Sequence, residues 1–374
     1  MPPNYKEPED RINLFPTLGK FRAESLANSE KSDYSFDLLI KIWENSSEKL
    51  WAWGYWQDYL RCGEIVLDCA TQLKKRDIQG QVLNELGWVQ MEQGNFKIAK
   101  IRFSESLQIF QDTANLLSQG QSLRYMGVWY FRQRYFGLAL KYYQKALEKT
   151  LESQCVNLTE SEKQRLMHQQ FEIHNLLGNL YFKLWNLNTS RREFIAGLRG
   201  FKKPQKLYVS PAPSSYIYFQ PVFLLNLGRV AMLKRQYHKA QSYFDRCHQL
   251  SINIDRSDLE AGVLLRMAEL ARIQGQNAKA DELAKQAEKI SETEAPPLRN
   301  QAMALRSQLK GDRRQQIKAA IYKIKMLIAL ITNLAIHAPL VLLQYIYFSL
   351  FFTSIDKIIA KIKKLKANLK YKLK

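Results

Sequence analysis

The feature that most limits what this chain can fold into is its resemblance to itself at an offset of forty residues. The stretch IQGQVLNELGWVQMEQGNFKIAKIRFSESL (78–107) lies over LSQGQSLRYMGVWYFRQRYFGLALKYYQKAL (117–147). Gly80, Gly87, Ala99, Phe103 and Leu107 then fall on Gly120, Gly127, Ala139, Tyr143 and Leu147. Further copies begin at residues 175, 225 and 265, marked by Gly178, Gly228 and Ala268, so the spacings from Gly87 onward are 40, 51, 50 and 40. A period of this length means stacked supersecondary units, none able to bury its apolar face alone.

Each copy has the same order. A helix carries Leu-Gly or another small residue, a turn follows, and a second helix carries Ala-x3-aromatic-x3-Leu. The small residues at Gly87 and Ala99 let two helices approach closely, and Phe103 is expected to fill the gap to the next hairpin. The segment LWAWGYWQDYLRCGEIVLDCATQLKKRD fits one more hairpin in phase, with Ser47 forty residues before Gly87.

These markers resemble the tetratricopeptide repeat (TPR), with its W-x2-L-G-x2-Y…A-x3-F pattern. The match is close at Gly127, Tyr130, Ala139, Tyr143 and Ala146. It loosens where Ser190 and Gly197 stand at Ala positions, and where Ala268 and Ala284 replace Gly and Phe. The terminal proline is missing throughout, as in long-helix variants. GYWQDYLRCGEIVLDCA is also similar to the first hairpin of arrays that follow the NB-ARC module of bacterial, notably cyanobacterial, STAND ATPases. The resemblance covers about residues 35–290 and implies a scaffold without the ATPase, since PTLGK (16–20) is no Walker A and GxxxxGK[ST] occurs nowhere.

The expected fold is therefore all-α: an α-solenoid of TPR hairpins, then a C-terminal hydrophobic helix or helical hairpin and a basic amphipathic tail helix. The expected divisions are a polar N-terminal segment (1–33), a degenerate first hairpin (34–78), five repeats (79–309) and a membrane anchor with its tail (310–374). Residues 151–165 are expected to lengthen helices or their turn. Residues 199–221, with four prolines, are expected as a long surface loop or a segment that holds a partner.

Catalytic chemistry is not visible. The five histidines form no HExxH and no Cys/His pair at metal spacing, and GxSxG and GxGxxG do not occur. No enzyme activity, cofactor or metal is expected. Cys62 and Cys69 lie seven apart on one helix face, as small core residues would, and no CxxC pair suggests a disulfide framework or zinc site. The N-terminus carries no signal peptide pattern, so a cytoplasmic array is expected.

A stacked array exposes a concave face built from the first helix of each hairpin. Counted from the Leu-Gly positions, that face should carry Asn84, Trp88 and Met91, then Arg124, Val128 and Phe131. Asn175, Asn179 and Phe182 come next, followed by Arg229, Met232, Arg266 and Glu269. Asn, Arg and exposed aromatics suit an extended acidic or amphipathic peptide. The other reading is that several of these side chains pack between hairpins. The Lys/Asn carboxylate clamp of chaperone-binding TPR domains is not matched.

The C-terminal sixty residues differ from the rest. Of the net charge of +21, the part from Lys310 onward holds 14 Lys/Arg against Asp312 and Asp356. Residues 326–355 contain no acidic or basic side chain other than His337. In helical form that run would span ~45 Å against a hydrocarbon core of ~30 Å, and it is apolar all round. It reads as a single span, or as a hairpin turning at His337-Ala338-Pro339 that keeps every lysine on one side. The tail alternates an Ile/Leu stripe with Lys357, Lys361, Lys363, Lys364, Lys366 and Lys370, which suits an anionic lipid surface. No nucleic-acid fold or aromatic platform accompanies the lysines, so no nucleic acid is expected. The competing reading is a soluble regulator whose apolar basic tail docks on another protein, and behind it stands an RNA-binding TPR protein that would use the same lysines.

Overall fold

The computed structural model describes residues 10–27, 32–52, 54–155, 158–200, 214–294, 296–309, 321 and 324–325. The chain divides into two compact units, Met1–Ala319 and Ala320–Lys374. The second contributes only residues 321, 324 and 325 to the description, so the run 326–355 and the lysine tail 356–374 lie outside the described residues. Among the described residues no helix is long and apolar enough to cross a membrane.

The first unit is built from helices. Five of them, α3 (Trp56–Gln72), α4 (Arg76–Glu92), α5 (Phe96–Asp112), α6 (Leu116–Arg132) and α7 (Phe136–Glu152), are each 17 residues long and separated by three-residue turns. The forty-residue period is thus two equal half-steps. Each turn closes in the same way. At the end of α3, the Lys75 N–H donates to the Ala70 carbonyl (2.8 Å) and the Lys74 N–H to the Thr71 carbonyl (3.1 Å). At the end of α5, Asn115 and Ala114 donate to Phe110 (3.0 Å) and Gln111 (3.2 Å). This is the paired closure that satisfies a helix's last carbonyls by sending one residue into the left-handed region.

The same construction continues in α8 (Glu160–Lys183), α9 (Leu187–Gly200), α10 (Ser214–Leu233), α11 (Tyr237–Asn253), α12 (Ser257–Ile273) and α13 (Asn277–Glu294). The pairs α4/α5, α6/α7, α8/α9, α10/α11 and α12/α13 are the five repeats, and α14 (Pro296–Leu309) closes the far end. There Ala302 and Leu305 are buried, and the Arg306 guanidinium reaches Asp281 (3.0 Å) and Glu288 (2.6 Å).

Inside each of the first four repeats an aromatic ring of the second helix lies against a glycine of the first. A Cβ on Gly87 would stand 2.7 Å from the Phe103 ring, closer than real side chains approach. Gly127 with Tyr143, Gly178 with Phe194 and Gly228 with Phe244 repeat the contact, and all four rings are fully buried. Phe103 also stacks on Tyr125 of the next hairpin at 5.5 Å, so one ring closes its own hairpin and reaches its neighbour. The fifth repeat replaces the pair with Ala268 and Ala284, both buried. In the upstream hairpin, α2 (Ser32–Ala52) with α3, the glycine is Gly63 on the second helix, with Leu86 of α4 and then Trp43 of α2 closest to it.

Two elements differ from the sequence expectation, and a third follows it. Within the polar segment 1–33, residues Asp10–Leu26 form a helix, α1, which carries the buried Leu18 and Ser25. Its Arg22 Nε donates to Asp68 of α3 at 2.6 Å, and Arg61 of α3 lies 4.3 Å over the Phe15 ring. Its Leu14, Leu18 and Phe21 recur at helical spacing and pack into the core shared with α2 and α3. Within 199–221, α9 runs to Gly200 and α10 begins at Ser214, so the last eight residues are helical despite Pro221. Phe219 explains this, since it packs against His168 (5.2 Å) and Phe171 (6.1 Å) of α8. Residues 201–213 lie outside the described residues. Residues 151–165 do lengthen a helix, because α8 has 24 residues and starts at a full capping box between Thr159 and Glu162.

The glycine contacts predict opposite outcomes for one substitution at two sites. Gly87→Ala should destabilise the fold by about 1–3 kcal/mol, because the fully buried Phe103 ring cannot retreat. Gly137→Ala, where an added Cβ meets nothing within 4 Å, should stabilise α7 by about 0.5–1 kcal/mol. Thermal melts of the two variants check both signs.

Candidate functional site

The first helices α4, α6, α8, α10 and α12 stand side by side and form the inner face. The expected groove residues separate into two sets. Asn84, Met91, Arg124 and Val128 are buried, at 1%, 1%, 7% and 7% exposure. They pack between hairpins, the alternative the sequence left open. The Asn84 amide donates to Ser122 Oγ of α6 at 2.9 Å, and Ser122 in turn meets Ser106 of α5 at 3.0 Å, which makes a polar seam under the face. Arg124 pairs with Glu172 of α8 at 3.1 Å and lies 4.4 Å over the Tyr125 ring. Burial opposes the charge on Glu172, but Arg124 and then His168 hold its carboxyl below the usual value.

The remaining residues are partly exposed and form a ladder. The Arg132 guanidinium lies over the Trp88 ring at 5.4 Å, Lys183 Nζ over Phe131 at 5.2 Å, and the Arg229 guanidinium over Phe182 at 4.5 Å. Each rung joins an aromatic of one repeat to a cation of the next, a contact worth about 0.5–2 kcal/mol. Beside it, Asn175 Oδ1 accepts from Asn226 (3.0 Å) and Asn179 (3.1 Å), and Asn226 Oδ1 accepts from Arg229 (2.8 Å). Met232 packs at the edge of the core between α10 and α12. Arg266 is held by both oxygens of Glu269 (2.7 and 2.8 Å) and by Gln301 (3.2 Å).

The cations of the ladder are not equally compensated. Arg132 pairs with Glu92. Among the described residues, no carboxylate pairs with Lys183 or Arg229. Burial, and next Arg266, push Arg229 down to about 10; burial, then Arg134 and Arg229, lower Lys183. Repulsion among these groups marks a strip of positive potential across the third and fourth repeats. Sequence reasoning found Arg229 and missed Lys183, although it follows Asn179 by four residues and so shares its helix face.

A cleft of about 360 Å³ opens between α6 and α8, lined by Gln121, Arg124, Tyr125, Gln164, Arg165, His168, Gln169 and Glu172. Among the described residues no three His, Cys, Asp or Glu side chains come together as a metal site would require. Cys62, Cys69 and Cys247 are buried free thiols.

Geometry of this kind defines a class. The chain has the fold of TPR-like helical-repeat proteins, and the solved structures it matches are of that kind. No protein-family model and no curated protein matches the chain. Aspartyl phosphate phosphatase F from Bacillus subtilis aligns over 96% of this chain and 96% of its own, with a TM-score of 0.54 at 14% identity. A Rap protein complexed with competence and sporulation factor aligns over 95% of this chain and 99% of its own, with a TM-score of 0.53 at 12% identity. A STAND protein with a tetratricopeptide repeat sensor, from Pyrococcus horikoshii, has a TM-score of 0.52 at 14% identity. That match covers 81% of this chain and 43% of that protein. At these identities the likeness defines the fold.

One group at the near end of the inner face was not foreseen. Glu85 of α4 accepts from Trp43 Nε1 (3.0 Å) and the Tyr59 hydroxyl (3.4 Å), and no cation pairs with it among the described residues. Burial raises its pKa from 4.5 to about 7, and Glu44 adds to the effect. The folded chain therefore binds this proton more tightly than the unfolded chain. The stabilisation is complete below the unfolded value and is lost as pH rises through about 7. Melting temperature should fall between pH 5 and pH 8, and Glu85→Gln should flatten that slope by up to about 3 kcal/mol. Melts of both proteins across this range check the sign.

Proposed function

We propose that this chain is a non-enzymatic scaffold that holds an extended acidic or amphipathic segment of a partner protein along its inner face, tethered at a membrane. The observation that carries the reading is the ladder in which Lys183 and Arg229 cover Phe131 and Phe182 without carboxylate partners. An incoming carboxylate can pair with either cation while apolar side chains lie along the exposed ring edges. Asn175 and Asn179 supply groups for the backbone of such a segment. A Rap protein of the same fold is known as a complex with competence and sporulation factor, which supports a binding role for this kind of array. The resemblance of the first hairpin to arrays behind NB-ARC modules belongs to the same reading.

The tether rests on sequence. The uncharged run 326–355 and the lysines at 357, 361, 363, 364, 366 and 370 suit a bilayer and its anionic surface, with the array on the cytoplasmic side. A single span and a re-entrant hairpin at His337–Pro339 both satisfy it.

Two measurements test the two halves separately. Charge reversal at Lys183 and Arg229 should weaken recovery of Asp/Glu-rich peptides from a library by about tenfold or more and remove its salt dependence. Unchanged recovery would count against the groove. Membrane fractionation of the full chain against a chain ending at residue 310 should move the protein from pellet to supernatant. A full chain that stays soluble instead supports a regulator whose tail docks on protein.

A further inference from the structure

The turns that join first to second helices all emerge at one edge of the array, because the two helices of each hairpin run antiparallel. Every one of them needs a residue in the left-handed region. At both ends of the array that residue is glycine: Gly54, Gly94 and Gly275, at φ 73, 84 and 80°. In the three central repeats it is Arg134, Trp185 and Arg235, at φ 64, 59 and 58°. A side chain with a Cβ is strained there, and the indole of tryptophan is among the bulkiest that could be placed. Non-glycine residues hold the same conformation in turns on the opposite edge, at Lys74, Ala114 and Asp255, so what sets these three tips apart is the chemistry of their side chains.

The tips share one chemistry. Trp185 is 54% exposed, and Tyr135 and Leu233 beside the other two are 37% and 39% exposed. Lys183 and Lys234 flank them, with Lys234 Nζ donating to Asn188 Oδ1 at 2.7 Å. Among the described residues no carboxylate pairs with Arg134, Lys183 or Arg235. Residues 113–147, 173–192 and 194–244, which include all three turns, contain no Asp or Glu. From residue 113 to 244 there are 19 Lys/Arg against 6 Asp/Glu, so the positive excess of the array sits in these repeats.

We propose that this edge is a membrane contact, seating Trp185 at the headgroup level of an anionic bilayer with Arg134 and Arg235 on lipid phosphates. Protruding Trp, Tyr and Leu tips among unpaired cations are the chemistry of a bilayer interface, where rings sit at headgroup depth and cations meet phosphate. A bare polyanion would leave the Leu233 and Trp185 surfaces unused. The inference rests on the membrane location proposed above but uses none of the tail's residues.

A dye reports on the edge alone. Gln236 is exposed, adjoins Arg235 and makes no capping bond with its side chain. The full chain with Gln236→Cys and Cys155→Ser is labelled there with an environment-sensitive fluorophore, since Cys62, Cys69 and Cys247 are buried. Phosphatidylserine-containing vesicles should raise its emission about twofold and shift it to the blue, and pure phosphatidylcholine vesicles should not. The triple variant Arg134→Gly, Trp185→Gly, Arg235→Gly should melt higher than the parent and lose the emission change. Several results overturn the proposal. A chain that sediments with vesicles while the dye stays aqueous leaves the tether standing and removes this edge. A chain that stays in the supernatant removes both. An equal emission change with a DNA oligonucleotide and no vesicles assigns the edge to nucleic acid. A triple variant that melts lower makes the three residues structural.

Discussion

Everything in the array depends on how close two helices can come. A ring from the second helix laid on a glycine of the first, as Phe103 lies on Gly87, sets the separation within a hairpin. That separation leaves the far side of the ring free to touch the next hairpin, as Phe103 does with Tyr125. Repetition of the contact at Gly127, Gly178 and Gly228 carries one geometry through four hairpins. The short turns follow from it, because helices held this close can be joined by three residues. The alignment of first helices follows as well, and so does the distance at which Lys183 reaches Phe131 and Arg229 reaches Phe182. The inner face is a by-product of the packing rule beneath it.

Electrostatics then divide the surface. At the near end the inner face holds a carboxylate, Glu85, with only neutral donors around it. Toward the middle it holds cations that repel one another, Lys183 with Arg134 and Arg229, and Arg229 with Arg266. Toward the far end Arg266 and Arg306 are neutralised by Glu269, Asp281 and Glu288. Among the described residues, the inner-face cations without a carboxylate in ion-pair contact are therefore at the third and fourth repeats, although Glu269 partly offsets Arg229.

The repeats were legible because helix contact demands small and aromatic residues at fixed spacing, and that demand survives in a single sequence. Gly87, Phe103 and their counterparts carry it. Helix α1 was missed although Leu14, Leu18 and Phe21 recur at helical spacing, because the polar residues between and before them made the segment read as polar. The start of α10 was hidden by Pro221, whose breaking tendency is overridden by Phe219 packing on α8. Position counting placed Trp88, Phe131, Phe182 and Arg229 on the inner face but could not tell that Asn84, Met91 and Arg124 turn into the seams. That distinction depends on helix rotation by less than one residue, which spacing does not resolve. Lys183 was missed because the aromatic that holds it belongs to a different repeat.

The longer α8 has a consequence for how the array bends. Its 24 residues exceed the 17-residue standard by seven, or about 10 Å of added helix. The early start of α10 supplies a partner for that extension, and Phe219 joins it to His168 and Phe171. The third and fourth hairpins therefore gain this contact in addition to those of Asn226 on Asn175 and Arg229 on Phe182. A stack of equal units flexes evenly; this one carries a splint at its centre. The added contact sits in the same two repeats as Lys183 and Arg229 and stiffens the array there.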